Sequence, residues 1–228
     1  MTNEDFKNQK AAEKTEVEQY FNGMGFDRWN RIYSESNEVN KVQRNIRIGH
    51  QKTVNDVLSW IQESGNIQNL SFCDAGCGVG SVSLPLASLG AKSIVASDIS
   101  EAMIEETKKR ANSNDIDINK ISFIKSDLES LEGSFHTVIC LDVFIHYPQK
   151  AAEEMVRHLC VLTEERLIVS FAPYTPFLAL LKKVGQLFPG PSKTTRAYTL
   201  RKQGIIKAAN ESGFTLTKNK LNQAPFYF

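Results

Sequence analysis

Short apolar runs alternate with helix-like segments along the middle of the chain. The runs are five to seven residues long and rich in Val, Ile and Phe, which favours β-strands. The predicted strands cover residues 70–74, 93–98, 121–127, 136–142 and 166–171. Because these runs are apolar on both faces, we expect a parallel sheet with helices on both sides.

The segments between the runs place apolar residues three or four positions apart, which is the spacing of one helix face. Helices are predicted over residues 81–90, 150–162 and 201–212, and a further helix is expected to begin after Ser100 as its N-cap. A sixth strand is predicted over residues 214–219. The predicted fold class is therefore α/β, with a ligand crevice at the carboxyl ends of the strands.

The N-terminal part has a different pattern. Residues 1–13 are polar and are expected to form a disordered tail. Residues 14–64 contain three amphipathic segments, broken by glycines and by a polar stretch, and predict a helical arm. Residues 65–228 form the expected core, with an insertion at residues 174–203 that begins with an apolar segment.

Composition and charge narrow the function. The chain has 228 residues, and its 27 basic and 26 acidic residues leave a net charge of +1, which argues against a protein that grips a nucleic-acid backbone. No run reaches the roughly 18 apolar residues of a membrane span, and the acid-containing N-terminus is unlike a signal or transit peptide. The four cysteines form no C-x-x-C pair, so we expect buried reduced thiols in a cytoplasmic protein without a metal site.

A glycine-rich loop follows the first predicted strand and carries the strongest chemical signal. It reads Asp-Ala-Gly-Cys-Gly-Val-Gly over residues 74–80, with G-x-G-x-G spacing instead of the G-x-G-x-x-G of nicotinamide-binding loops. Asp74 would repel a pyrophosphate but would stabilise a cationic amino-acid group. The loop resembles motif I of the class I S-adenosylmethionine-dependent methyltransferases, in which it packs against the methionine part of the cofactor.

Three further acids stand at the ends of successive strands. Asp98 is expected to accept the ribose hydroxyls, Asp127 with Leu128 matches the position that contacts adenine, and Asp142 lies beside the expected transfer site. For any one aspartate alone, helix capping is the ordinary explanation. The full predicted cofactor-binding set is Trp29, Asp74, Gly76, Gly78, Gly80, Asp98, Ile99, Asp127, Leu128 and Asp142.

A longer resemblance covers the chain from about residue 15 onward. It is carried by FNGMGFDRWNRIYSE (21–35), VNKVQRNIRIGHQKTV (39–54), the glycine loop, ASDISEAM (96–103), LDVFIHYP (141–148) and PSKTTRAY (191–198). Together they resemble the magnesium protoporphyrin IX O-methyltransferases of the chlorophyll pathway, in their cyanobacterial form. The resemblance implies a Rossmann-like class I methyltransferase fold with an N-terminal helical arm and an inserted lid segment after the fifth strand.

The same resemblance implies methyl transfer from S-adenosylmethionine to one propionate of magnesium protoporphyrin IX, which leaves S-adenosylhomocysteine and a monomethyl ester. A propionate, with a pKa of about 4 to 5, is already ionised near pH 7, so no strong base is needed. Tyr33 and His146 are the expected catalytic and substrate-binding pair, with His146 donating a hydrogen bond and Tyr33 on an arm that closes as a lid. Arg196 is expected to neutralise a propionate, whereas Arg47 and His50 are interpreted as structural.

Other interpretations stay open at this stage. Without the resemblance, His146 is a satisfied loop histidine and Tyr33 a core contact. The protein is then a methyltransferase for another small acid or phenol, or a porphyrin carrier without catalysis. Base methylation is disfavoured because LDVFIHYP stands where an N-P-P-[FY]-type motif would follow the fourth strand. The resemblance also implies magnesium chelatase as a partner and leaves peripheral contact with photosynthetic membranes open.

Overall fold

Five parallel strands form the central sheet of the computed structural model, which describes residues 3–33, 39–114, 116–174 and 198–222. The strand order is β3-β2-β1-β4-β5, so the chain reverses its direction of travel across the sheet between β1 and β4. The strands are β1 (Ser71–Ala75), β2 (Ser93–Asp98), β3 (Ile121–Lys125), β4 (Phe135–Cys140) and β5 (Thr163–Val169). The prediction of a parallel α/β sheet is confirmed, with strand bounds within a few residues of those expected.

Seven α-helices lie in the described residues: α1 (Asn3–Phe21), α2 (Met24–Ile32), α3 (Lys41–Glu63), α4 (Ser83–Ser88), α5 (Glu101–Ser113), α6 (Gln149–Val161) and α7 (Lys202–Glu211). Local capping explains where two of them begin. The Asn40 side chain accepts from Gln43 N while the Gln43 side chain accepts from Asn40 N, which starts α3. The Ser100 side chain accepts from Met103 N and starts α5, as predicted.

The sheet buries apolar side chains on both faces. Phe72 and Ile139 belong to the cluster on one face, while Cys73 and Val138, their neighbours along β1 and β4, belong to the cluster on the other. All four are fully buried, as the alternation of side chains along a strand requires. The four cysteines are all buried and free, as expected for their apolar surroundings.

The prediction of a disordered tail over residues 1–13 is wrong for residues 3–13, which belong to α1. Lysines near the middle of this helix bind carboxylates on the core: Lys10 pairs with Glu129 and Glu154, and Lys14 pairs with Asp127 and Glu129. Burial lowers the pKa of both lysines, but hydrogen bonds to these carboxylates outweigh it and raise each pKa above its ordinary value. The polar composition of these residues therefore gave no indication of a helix that pairs with the core through tertiary ion pairs.

Replacing both Lys10 and Lys14 with methionine is expected to loosen α1 from the core. These pairs are partly exposed, so we expect a loss of about 1 kcal/mol or less for each. Hydrogen exchange should show faster exchange of the amides over residues 3–21, with β1 and β4 unchanged. A matched control is Lys108→Met, which removes an exposed pair within α5. Equal protection of α1 in both variants would contradict the ion-pair anchor.

The predicted strand over residues 214–219 is also wrong, because these residues have no regular secondary structure. The segment that follows α7 is instead attached to α3 by polar contacts: Lys218 pairs with Glu63, and Lys220 pairs with Asp56. Leu216 is 54% exposed, so the apolar residue that suggested a strand buries little surface. Phe214 packs against the core, but the alternation that continues with exposed Leu216 is a weak strand signal because no strand of the described residues pairs with it.

The predicted insertion after the fifth strand is described only at its two ends. Residues 175–197, which contain the apolar segment and Arg196, lie outside the described residues. Where the chain is described again, Leu200 N donates to Ala172 O and Tyr198 N donates to Ile145 O, so this return segment packs beside the end of β5. Within the described ranges, no helix is both long and apolar enough to cross a bilayer.

Candidate functional site

A cavity opens at the carboxyl ends of β1, β2 and β4, where the strand order changes direction. Its inner wall is formed by the glycine loop and the strand ends, and its outer wall by the N-terminal helices. The inner wall includes Gly76, Gly78, Asp98, Ile99, Asp127, Leu128 and Asp142. The outer wall includes Val17, Phe21, Trp29, Tyr33 and His50. This is the position predicted for a ligand in an open parallel sheet.

The glycine loop is pressed against the sheet and leaves its backbone open to the cavity. Gly76 N and Cys77 N both donate to Ser97 O at 2.8 Å, which folds the loop back over β2. Gly76 has φ +83°, and a Cβ there would lie 2.2 Å from Val143 Cγ2. Gly78 has φ +54° with no atom within 4 Å of where a Cβ would lie, so a ligand can approach its backbone closely.

Asp74 does not lie on the cavity wall, although it was included in the predicted cofactor-binding set. Its Oδ2 accepts from Ser83 N at 3.0 Å and from Ser83 Oγ at 2.5 Å, at the start of α4. Burial raises the pKa of this carboxyl to about 6. Gly80 is likewise absent from the wall and packs against Thr107 and Leu84. For Asp74 the geometry therefore matches the capping alternative.

Asp98 stands at the tip of β2 with its carboxylate on the cavity wall. Its Oδ2 accepts from Gly78 N and its Oδ1 accepts from Ser100 N, both at 2.9 Å. Burial raises the pKa of this carboxyl to about 6, although the backbone donors act in the opposite direction. The carboxylate faces the cavity and accepts hydrogen bonds only, so the fixed side chain can also accept from hydroxyls of a ligand.

Asp127 connects the cavity to the N-terminal arm. Its Oδ1 accepts from Lys14 Nζ at 3.0 Å and its Oδ2 accepts from Ser130 Oγ at 2.9 Å. Burial raises the pKa of Asp127, but these hydrogen bonds outweigh it and the pKa lies below its ordinary value. Leu128 follows it as a buried apolar residue of the wall, so the pair offers a polar edge and a flat apolar contact.

Asp142 follows β4 and is held by two side chains. The backbone has φ +59°, a left-handed conformation that is uncommon for a residue with a Cβ. Ser170 Oγ donates to Asp142 Oδ1 at 2.8 Å, and His50 Nδ1 lies 2.8 Å from Asp142 Oδ2. Its position at the tip of β4 agrees with the prediction, whereas its partner His50 was interpreted as structural and instead lines the cavity.

Aromatic residues of the arm cover the same cavity. Trp29 stacks on Tyr33 with ring centroids 5.7 Å apart, and the Tyr33 ring lies 4.6 Å from that of His50. Phe21 meets His146 edge-on at 5.0 Å. Burial lowers the pKa of His146 to about 4, so this imidazole is neutral near pH 7. The structure therefore brings Tyr33 and His146 to one cavity, as predicted.

Three nitrogen atoms on this wall are buried without a hydrogen-bond partner in the described part of the chain: Trp29 Nε1, His50 Nε2 and His146 Nδ1. Orphaned buried groups of this kind indicate that a ligand completes the site. Arg196, the third predicted substrate-binding residue, lies outside the described residues. Arg47 donates to Arg31 O and Ile32 O at the end of α2, so it holds α2 to α3.

The described residues of the cavity can bind and orient a ligand, and they offer no activated nucleophile. The nearest thiol, Cys77, is buried, and burial raises its pKa well above the ordinary value, so it is not an activated nucleophile. Among the described residues no cluster of His, Cys, Asp and Glu could hold a metal ion. Acceptors for hydroxyls and an apolar contact on the inner wall fit a nucleoside, and the aromatic outer wall fits a second, flat molecule.

Two family models match the chain. One is described as the C-terminus of magnesium-protoporphyrin IX methyltransferase and matches residues 140–228. The other is described as a methyltransferase domain and matches residues 72–164, which contain the glycine loop and the acids at the strand ends. The first model covers His146 and the second covers Asp98.

Whole-chain similarities agree. A magnesium-protoporphyrin O-methyltransferase of Synechocystis is 48% identical over 97% of this chain and 95% of its own length. A chloroplastic magnesium protoporphyrin IX methyltransferase of Arabidopsis thaliana is 46% identical over 96% of this chain and 70% of its own length. A crystal structure of magnesium protoporphyrin IX methyltransferase from Synechocystis with bound S-adenosylhomocysteine has a TM-score of 0.86, with 94% of this chain and 95% of that chain covered at 48% identity.

Proposed function

Since the chain belongs to the magnesium protoporphyrin IX methyltransferase family, we infer that it transfers a methyl group from S-adenosylmethionine to a propionate carboxylate of magnesium protoporphyrin IX. The product is the monomethyl ester of chlorophyll biosynthesis. The observation that carries this inference is the shared cavity: Asp98 at the tip of β2 and the pair Tyr33 and His146 all lie on its wall. One site can thus hold the donor beside the acceptor.

The inner wall fits the methyl donor. Bound S-adenosylmethionine supplies an electrophilic methyl group on a positively charged sulfur. We propose that Asp98 accepts the two ribose hydroxyls while its carboxylate stays bonded to Gly78 N and Ser100 N. Asp127 and Leu128 are the proposed contacts of the adenine, and the open backbone at Gly78 admits the amino-acid part of the donor.

The propionate that accepts the methyl group has to be oriented, but it does not have to be deprotonated by the protein. A propionate is ionised near pH 7 and reacts through a carboxylate oxygen, so the residues around it have to align that oxygen and exclude water. Neutral His146 has one ring N–H to donate, and its ring packs edge-on against Phe21. We propose that His146 and Tyr33 hold the carboxylate and that the arm residues Phe21 and Trp29 shield it from water.

Incubation with labelled S-adenosylmethionine and magnesium protoporphyrin IX is expected to give a labelled methyl ester, which chromatography and mass spectrometry identify. Metal-free protoporphyrin IX is the comparison for metal recognition, and a small phenol and a short-chain acid test the alternative acceptors. Binding of both ligands without ester would support the carrier alternative. Ester formation only on the phenol or the short acid would contradict the proposed substrate.

Two finer points belong to the same proposal. We propose that magnesium chelatase hands its product to this chain, because a large apolar porphyrin is poorly suited to free diffusion in water. We also propose a cytoplasmic protein that makes peripheral contact with photosynthetic membranes. Copurification with the chelatase, and flotation of the chain with vesicles of thylakoid lipids, test these two points separately.

A further inference from the structure

His50 has one bonded and one unbonded ring nitrogen. Its Nδ1 lies 2.8 Å from Asp142 Oδ2, whereas its Nε2 is buried and has no hydrogen-bond partner among the described residues. The residue is 8% exposed and lies on the cavity wall. Leaving a ring nitrogen buried and unpaired costs free energy, so this arrangement indicates a ligand that reaches Nε2.

The partners of Asp142 establish that Nδ1 of His50 is a hydrogen-bond donor. Ser170 Oγ accepts from Asp142 N, and its own proton is donated to Asp142 Oδ1, so the orientation of the carboxylate is fixed. An ionised carboxylate only accepts hydrogen bonds, so His50 must donate to it through Nδ1. Nε2 is then the atom left to meet a ligand, and it is oriented by the pair of Asp142 and Ser170.

The position of His50 fits an anionic acceptor. The cavity wall carries the carboxylates of Asp98, Asp127 and Asp142, so a further carboxylate would be repelled unless a hydrogen-bond donor stood beside it. The His50 ring contacts Asp142 on one side and lies 4.6 Å from the Tyr33 ring on the other. It therefore stands between the acid at the tip of β4 and the arm residue proposed to hold the substrate.

We propose that His50 is a substrate-binding residue whose Nε2–H donates to the propionate oxygen, while its Nδ1–H donates to Asp142, which positions the ring. The proposal rests on the proposed function and adds a third contact to those of Tyr33 and His146. The ring binds and orients the carboxylate, and no bond to His50 is made or broken. The alternative partner for Nε2 is the magnesium ion of the substrate. That ion lies at the porphyrin centre, several bonds from the reacting carboxylate.

Two variants separate the nitrogens of His50. His50→Asn keeps an amide donor near the Nδ1 position for Asp142 and removes Nε2, whereas His50→Gln places its amide donor near the Nε2 position. We expect His50→Asn to weaken binding of magnesium protoporphyrin IX at least tenfold in a fluorescence titration and to raise its KM similarly. Affinity for S-adenosylhomocysteine should stay within about twofold, and His50→Gln should recover part of the porphyrin affinity.

Controls distinguish this proposal from a structural role. His136→Asn changes a histidine at the start of β4, at the opposite end of the strand from the cavity. Equal loss of cofactor and porphyrin affinity in His50→Asn, or unchanged porphyrin affinity, would overturn the proposal. Weaker binding of magnesium protoporphyrin with unchanged binding of metal-free protoporphyrin would assign Nε2 to the metal and also overturn it. Absence of ester with the unchanged protein would instead contradict the proposed function, whichever variant binds.

Discussion

Replacing His146 with alanine is expected to lower turnover on magnesium protoporphyrin IX by about 100-fold, because the acceptor carboxylate would lose the donor that aligns it. His146 packs edge-on against Phe21, and its Nδ1 is buried and has no hydrogen-bond partner in the described ranges. Since it is proposed to contact the acceptor, affinity for S-adenosylhomocysteine should change by less than about threefold. Steady-state kinetics and titration calorimetry measure the two quantities.

The control for this prediction is His158→Ala. His158 bonds Leu131 O through Nε2 and lies outside the cavity, so its loss should change stability more than turnover. An equal loss of turnover and cofactor affinity in His146→Ala would make His146 a structural residue. Because burial lowers the pKa of His146 to about 4, its protonation should add no step to the pH–rate profile between about pH 6 and pH 9.

Replacing Asp98 with alanine is expected to weaken S-adenosylhomocysteine binding by about 1–3 kcal/mol, or roughly 5- to 150-fold, because the ribose hydroxyls would lose their acceptor. The backbone donors Gly78 N and Ser100 N would also lose their partner, which loosens the glycine loop. Titration calorimetry measures the affinity, and thermal unfolding checks the fold. Asp117→Ala, which removes an exposed acceptor for Asn119, is the matched control. Unchanged affinity would remove Asp98 from the cofactor site.

The same carboxyl predicts a pH dependence of cofactor binding. Its pKa in the free protein is raised to about 6 by burial, and the ribose hydroxyls bind the ionised form. Affinity should therefore be constant above about pH 7 and fall as the pH drops through 6, because a proton must then be displaced from Asp98. Asp98→Asn should abolish this dependence. The comparison is needed because the pKa of buried Asp74 is also raised to about 6.

The sheet and the cavity could be predicted from the sequence because local patterns determine both. Apolar runs gave all five strands, and the order of a parallel sheet brings the residues after β1, β2 and β4 to one edge. Asp98 and Asp142 lie where this rule puts them. Asp74 shows the limit of this rule. Its place in the sequence does not determine whether its carboxylate faces the cavity or bonds to Ser83, as it does here.

The features that sequence reasoning missed depend on distant contacts. α1 has a polar sequence and is held by carboxylates more than 100 positions away, so its own composition gives no sign of it. His50 is separated from Asp142 by 92 positions. One signal was available: His50 is a lone polar ring on the inward face of α3, within a segment that resembles the family. Such a residue deserves consideration as a ligand contact.

The left-handed backbone at residue 142 limits which side chains evolution or design can place there. With φ at +59°, glycine, asparagine and aspartate are the residues that fit with little strain, and a β-branched side chain would strain the turn after β4. Of these three, glycine has no acceptor, and the asparagine amide would present donors where His50 and Ser170 already donate. Backbone shape and hydrogen bonding therefore select the same amino acid, and a saturation library at this codon should recover active clones almost only with aspartate.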